Sequence, residues 1–326
     1  MRRRNFIFGI GIGTLAWSLA AHAQQVVRLR RIGVLMSFPE NEPLTQACVQ
    51  AFVRALGRFG WVANRNVRID YRFAAGNPAL FKRYAAELIS AAPDVILAST
   101  APSLVALKAQ TKTIPIVFVI VPDPVGLGFV ESLARPGGNI TGFMSYDASI
   151  IGKWVQLLKE MAPAVNHIAV IFNPDTAFAP PLHSVIKTAM SFGVAITLAS
   201  VRNNEAIEEA IATEAREPGG ALIIIPDSFN VTHRDVIVDA AVRHRLPVVG
   251  WQIPQAGELM SYWYDPVDLH AQAASYVDRI LRGTSPAELP IQQPTKYSLV
   301  VNLKTAKALG LTIPPAILSI TDRVIE

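Results

Sequence analysis

The chain has 326 residues, 51% hydrophobic and 17% charged, so it carries enough apolar material for a large core and is neither disordered nor fibrous. Its formal charge of +5 includes Arg2, Arg3 and Arg4 at the extreme start, and removing those three leaves +2, too little to argue for a nucleic-acid partner. The single cysteine, Cys48, excludes an intrachain disulfide and any metal site built on a cysteine pair.

Residues 1–23 read as a signal peptide. The three arginines form a positive region, Phe6 to Ala20 is an uncharged apolar run, and Ala21-His22-Ala23 offers a small-x-small cleavage pattern near Ala23. Spanning a bilayer takes about 20 apolar residues, whereas this run is shorter and broken by Gly9, Gly11 and Gly13. Arg3-Arg4-Asn5-Phe6-Ile7 fits a twin-arginine signal, and the general secretory (Sec) route fits as well. Either route predicts a periplasmic protein.

From Arg31 onward, short β-branched runs alternate with amphipathic segments of helix length, the pattern of a doubly wound α/β fold with parallel sheets. The first half predicts strands at Ile32–Met36, Val67–Phe73, Val95–Ser99, Ile116–Val121 and Ile140–Met144. Helices are expected at about Pro43–Gly60, Pro78–Ala91, Pro102–Gln110 and Val125–Ala134. Cys48 falls on the apolar stripe Leu44, Cys48, Phe52 of the first helix, where a packed thiol is expected. The rhythm then restarts, with strands at His167–Phe172, Ala195–Val201, Ala221–Ile225 and Pro247–Gly250 and helices at Pro180–Phe192, Glu205–Arg216 and Thr232–His244. Two arrays of similar size predict two similar lobes.

Ligands of open α/β sheets bind beyond the carboxyl ends of the strands. Several such ends here carry polar or turn residues: Ser99, Thr100 and Ser103 around Pro102, then Pro122-Asp123, then Asn173-Pro174-Asp175-Thr176, and Pro226-Asp227-Ser228. Each alone is compatible with helix capping or a simple turn. Shared between two lobes, they suit a cleft that closes on a small polar molecule.

Several blocks carry a family resemblance: "RRIGVL" from Arg30, "LGRFGWVANRNVRIDYRFAAGN" from Leu56, "TIPIVFVIVPDPVGLGFVESLARPGGNITGF" from Thr113, "LPVVG" from Leu246, "LMSY" from Leu259 and "PTKYSLVVNLKTAKALGLTIPP" from Pro294. Together they cover nearly all of the chain from Arg31 to Glu326. It resembles the ABC transporter substrate-binding proteins related to the bacterial tryptophan- and tyrosine-binding lipoproteins, which have the type I periplasmic binding protein fold. The resemblance implies two similar doubly wound lobes joined by a multi-strand hinge, with crossings near Phe143–Ser149, Gln252–Leu259 and Pro286–Thr295. An N-terminal lobe of residues 30–145 plus 259–285 and a C-terminal lobe of 146–258 plus 286–326 follow.

Carried over by position, the resemblance implies ligand contacts from Ser37, Phe38, Ser99, Thr100, Ser103, Pro122 and Asp123 in the first lobe. The second lobe is implied to contribute Asn173, Thr176, Phe178, Asp227, Ser228 and Trp251. Relatives commonly have glycine where this chain has Trp263, flanked by Tyr262 and Tyr264. That indole is expected either to line the cleft or to pack between the lobes, and the signal lacks the cysteine of the lipoprotein relatives.

The implied function is a solute-binding protein, a monomer without cofactor or metal. It hands a small polar or amino-acid-like molecule to the membrane permease of an ABC importer with its cytoplasmic ATPase. A module presenting the solute to a receptor is the alternative. An enzyme finds little support: His167, His183, His233, His244 and His270 are scattered, and no G-x-S-x-G or H-E-x-x-H is present.

Overall fold

The structure is a computed structural model that describes residues 29–145, 149–175, 190–225, 227–251 and 257–326. The expected signal peptide, most of the expected Pro180–Phe192 helix and part of the expected Gln252–Leu259 crossing lie outside the described residues. Among the described residues no helix is long and apolar enough to cross a membrane.

Two sheets organise the chain. The first contains β1 (Arg30–Met36), β2 (Val67–Phe73), β3 (Val95–Ser99), β4 (Ile116–Val121) and β5 (Ile140–Met144), all parallel, in the order β2-β1-β3-β4-β5. The inner strands β3 and β4 are continuous apolar runs because helices cover both faces, whereas the edge strand β2 alternates Arg68, Asp70 and Arg72 with its apolar residues. Helix α1 (Pro43–Arg58) packs on one face, α2 (Pro78–Ser90) and α3 (Ala101–Lys108) on the other. Pro43 and Pro78 open their helices where the missing N–H is not needed, and the Asn77 side chain caps α2 by accepting from Ala79 N–H at 2.9 Å.

The second sheet runs β12-β11-β10-β9-β8-β6-β7. It comprises β6 (His167–Phe172), β7 (Ala195–Ser200), β8 (Gly220–Ile224), β9 (Val248–Gly250), β10 (Met260–Tyr264), β11 (Tyr297–Asn302) and β12 (Arg323–Ile325). Among the described residues, only the β10–β11 pair is antiparallel. Its helices include α4 (Ser149–Met161), α5 (Asn204–Glu214), α6 (Ser228–Thr232) and α7 (Arg234–Arg243). The segment β7-β6-β8-β9-β10 repeats the order of the first sheet, so the expectation of two similar doubly wound lobes holds.

Strand β10 corrects the expected lobe boundary. Residues from 259 were assigned to the first lobe, yet Met260–Tyr264 pairs with β9 on one side and β11 on the other. The chain returns to the first lobe only after Tyr264, where Asp265 caps α8 (Pro266–Leu281) by accepting from Val267 N–H at 2.8 Å. Helix α8 then packs beside α1 and over β3, β4 and β5. Residues 286–292 were expected in the second lobe and instead run along the free edge of β5. Gln292 N–H donates to Gly142 O (3.0 Å) and Met144 N–H to Gln292 O (2.9 Å). The three connections therefore leave the first lobe after Met144, before Pro266 and after Gln292.

The expected helix at Val125–Ala134 is absent. Residues 124–131 form turns, because Gly128 takes φ +68° and the Asp123 carboxylate closes a local turn on Gly126 N–H at 2.9 Å.

Cys48 of α1 and His270 of α8 are buried titratable side chains. Burial, helped by the charge of Asp265, pushes the Cys48 thiol up to about 12. Burial pushes the His270 imidazole down to about 4, against a hydrogen bond from its ring to Pro266 O. The folded chain thus holds His270 neutral where the unfolded chain takes up a proton below about pH 6.5. Stability from this group is complete above that pH and is lost as pH falls towards 4, by about 3 kcal/mol. Urea unfolding at pH 7 and pH 4.5 should show that loss in the native chain and a smaller one in His270→Gln; equal losses would exclude His270 as the source.

Candidate functional site

The strand order creates a switch point in each sheet. In the first, β1 and β3 are neighbours but their helices, α1 and α3, depart to opposite faces, which opens a crevice at their carboxyl ends. Ser37 follows β1, Ser99 ends β3, and Thr100 and Ser103 enter α3.

These four residues meet through the Ser37 hydroxyl. It donates to Ser99 O at 2.6 Å and lies 2.5 Å from Thr100 Oγ1 and 2.9 Å from Ser103 Oγ. A hydroxyl has one proton, and that of Ser37 goes to a carbonyl. Thr100 and Ser103 therefore donate to Ser37, which leaves their own lone pairs to accept from something else. Ser37 and Ser103 are fully buried, whereas Thr100 is partly open. Thr100 is the N-cap residue of α3 yet makes no side-chain cap bond, so the hydroxyls are not used up in capping. Its φ of +70° is costly for a β-branched residue and is held by its own N–H donating to Val119 O at 2.9 Å. Ser99 enters the cluster through its carbonyl alone; its hydroxyl is buried without a partner, having the same parity as Val95 and Leu97, which face α1.

The neighbouring loop carries Pro122 and an exposed Asp123. Strand β4 reaches it through an irregularity between Val119 and Val121, with Ile120 at φ +60°. One Asp123 oxygen is used on Gly126 N–H. Phe38 is partly buried beside Ser37.

The second sheet has its switch point between β6 and β8, and the structure joins the residues that follow them. Asn173 N–H donates to Asp227 Oδ2 at 3.1 Å, while Asp227 Oδ1 accepts from Asn230 N–H at 2.8 Å and caps α6. Asn173 also spans to β7, its amide donating to Val201 O at 2.9 Å and its carbonyl oxygen accepting from Asp175 N–H at 2.8 Å. Both residues are buried, so their first role is to lock the strand ends together. Asn230, not among the expected ligand contacts, completes the lock by donating to Ile171 O (3.0 Å) and Ile225 O (2.9 Å), with its Oδ1 left buried and unpartnered. Asp227 as an N-cap residue was legible in the sequence, but the reach of the Asn230 side chain to two strand-end carbonyls had no local signal. Thr176, Phe178 and the side chain of Ser228 lie outside the described residues.

Trp251 is buried at the end of β9. Trp263 is 5% exposed and packs in an aromatic cluster, with its ring centroid 5.5 Å from Trp154 of α4 and 4.3 Å from Tyr264. Both contacts are made with residues of the second lobe.

A profile described as ABC transporter substrate binding protein matches residues 33–325. The chain belongs to the ABC transporter substrate-binding protein family. Members of this family are solute-binding proteins. The "Tyrosine-binding protein" of Clostridioides difficile (strain R20291) is 26% identical over 282 residues, covering 83% of this chain and 79% of that protein. A conserved domain protein from Vibrio cholerae O1 biovar eltor str. N16961 superposes with a TM-score of 0.84 at 30% identity, covering 91% of this chain and 99% of that one. The ABC domain of Streptococcus pneumoniae in complex with L-Trp gives a TM-score of 0.84 at 22% identity, with the same coverages, a likeness of fold.

Proposed function

We propose that the protein is an exported, periplasmic monomer that captures an amino-acid-like solute, aromatic in its side chain, between its two lobes and hands it to the permease of an ABC importer. The observation that carries this reading is the Ser37–Thr100–Ser103 cluster at the first switch point. The accepting lone pairs of its partly open member, Thr100, suit an ammonium group, and the N–H groups of Ala101 and Ser103 at the start of α3 suit a carboxylate, an interaction worth up to about 2 kcal/mol when partly buried. The tyrosine-binding relative and the L-Trp complex of a chain with the same fold support the aromatic part.

In this reading the solute binds at Phe38, Thr100 and Asp123 and then adds contacts from the Asn173–Asp227 end and Trp251, including Thr176, Phe178 and Ser228. Those added contacts shift an open–closed equilibrium towards the closed form. Trp263 shapes the cleft from behind by holding its neighbours.

Isothermal titration with L-tyrosine, L-tryptophan and L-phenylalanine should give at least one binder at about micromolar Kd or tighter, and Ser37→Ala should weaken it roughly tenfold by releasing Thr100. Silence of the native protein towards all three would remove the aromatic amino acids as its cargo.

A further inference from the structure

Away from the cleft, the first lobe carries a groove of about 520 Å³ between the end of α1, helix α8 and the segment that ends at Gln292. Small-molecule sites typically occupy about 300–1,000 Å³. First-lobe residues next to each of the three interlobe connections line its walls. Phe143 lies in β5 just before the first, Asp268 comes one turn after the second lands at Asp265, and Gln292 is bonded to β5 just before the third departs.

We propose that this groove is a second small-molecule site that takes a small aromatic carboxylate. Charge is the first reason. Arg58 and Arg279 both line it and have no ion-pair partner among the described residues, unlike Arg282, whose guanidinium is 2.7 Å from Asp278. The single lining carboxylate, Asp268, already accepts from Gln272 Nε2 at 2.6 Å. The groove therefore holds one positive charge in excess, on two guanidinium groups whose forked N–H donors match a carboxylate.

Shape is the second reason. Phe59 is 39% exposed at the rim and offers a ring face. The opposite wall is rigid: Tyr276 packs on Phe143 at 4.8 Å, its hydroxyl donates to Pro290 O at 2.5 Å, and Gln292 Nε2 donates to that hydroxyl at 2.9 Å. An occupant lying across this wall touches the groups that fasten the third connection to the first.

The test uses the full mature chain labelled with ¹⁵N and benzoate as probe, with inorganic phosphate in a parallel titration. At about 10 mM benzoate a site with Kd of about 1 mM is nine-tenths filled. Backbone amides of Ser275, Arg279 and Gln292 should shift with saturation in the native protein. They should lose at least tenfold in affinity in the Arg58→Gln/Arg279→Gln double variant and in Gln272→Glu, which puts a carboxylate in the groove. Phosphate should bind at least tenfold more weakly than benzoate. No shift at these amides, benzoate shifts that survive in both variants, or phosphate binding as tightly as benzoate would each overturn the proposal. Because the readout is local to α8 and Gln292, it stands or falls separately from whether the cleft takes an amino acid.

Discussion

Gly142→Ala should be among the most damaging single-methyl additions to this protein, lowering the stability of the first lobe by about 4 kcal/mol or more. Gly142 sits in β5 beside β4 at φ +154°, a conformation that side-chain-bearing residues rarely adopt. A Cβ built there falls 2.1 Å from Phe118 O and 2.7 Å from Phe118 N. Both atoms belong to the backbone of a central strand, so no rotamer change relieves the overlap and the strands must separate. The damage reaches the hinge, because Gly142 O accepts from Gln292 N–H and so helps to fasten the third connection. Gly138 provides the control: its φ is +61°, but a Cβ there meets nothing within 4 Å, so Gly138→Ala reports backbone strain alone, about 1 kcal/mol. Thermal melts of the two variants should differ by several degrees. Equal melting temperatures would mean that β5 yields freely and that its contact with β4 is not what holds the hinge.

Trp154→Ala should cost about 3–5 kcal/mol, the range for removing a buried aromatic ring from a core. Trp154 is fully buried in α4, the first helix after the chain enters the second lobe. Its ring packs on Trp263, and its indole N–H donates to Tyr262 O at 2.7 Å. Since β10 leads directly into the second connection, this one side chain ties the landing of the first connection to the departure of the second. Trp154→Phe keeps most of the ring packing but leaves the Tyr262 carbonyl without this donor, at about 1–2 kcal/mol. Urea unfolding should rank native, Phe and Ala in that order; an alanine variant as stable as the phenylalanine one would show that the ring itself contributes little.

Strands were the most legible feature of the sequence. Val95–Ser99, Ile116–Val121, Ile140–Met144 and His167–Phe172 are runs rich in β-branched and other apolar residues, Val67–Phe73 alternates apolar with charged ones, and the structure has strands at those limits. What the sequence hid was partnership. Nothing local in Met260–Tyr264 announces that its neighbour is Tyr297–Asn302, more than thirty residues on and antiparallel, so the strand was assigned to the wrong lobe. The Val125–Ala134 stretch misled for another reason: its apolar spacing suggested a helix, while Gly126 and Gly128 made turns easier than helix.

At the candidate site, the polar strand ends were legible, because hydroxyl and amide side chains after buried strands are visible in one dimension. Their division of labour was not. That Ser37 is the hub, that Ser99 contributes its carbonyl, and that Asn173 and Asp227 are occupied with backbone groups depends on distances between residues some 54 to 66 positions apart.

The sealed thiol of Cys48 has a practical corollary. A side chain buried in the first helix, with its ionisation pushed up to about 12, stays almost entirely in the unreactive protonated form at neutral pH. A cysteine introduced on the surface near Asp265, where the second connection lands, would then be the sole target of a maleimide dye, so the natural chain is already a background-free chassis for an optical sensor of whatever it carries.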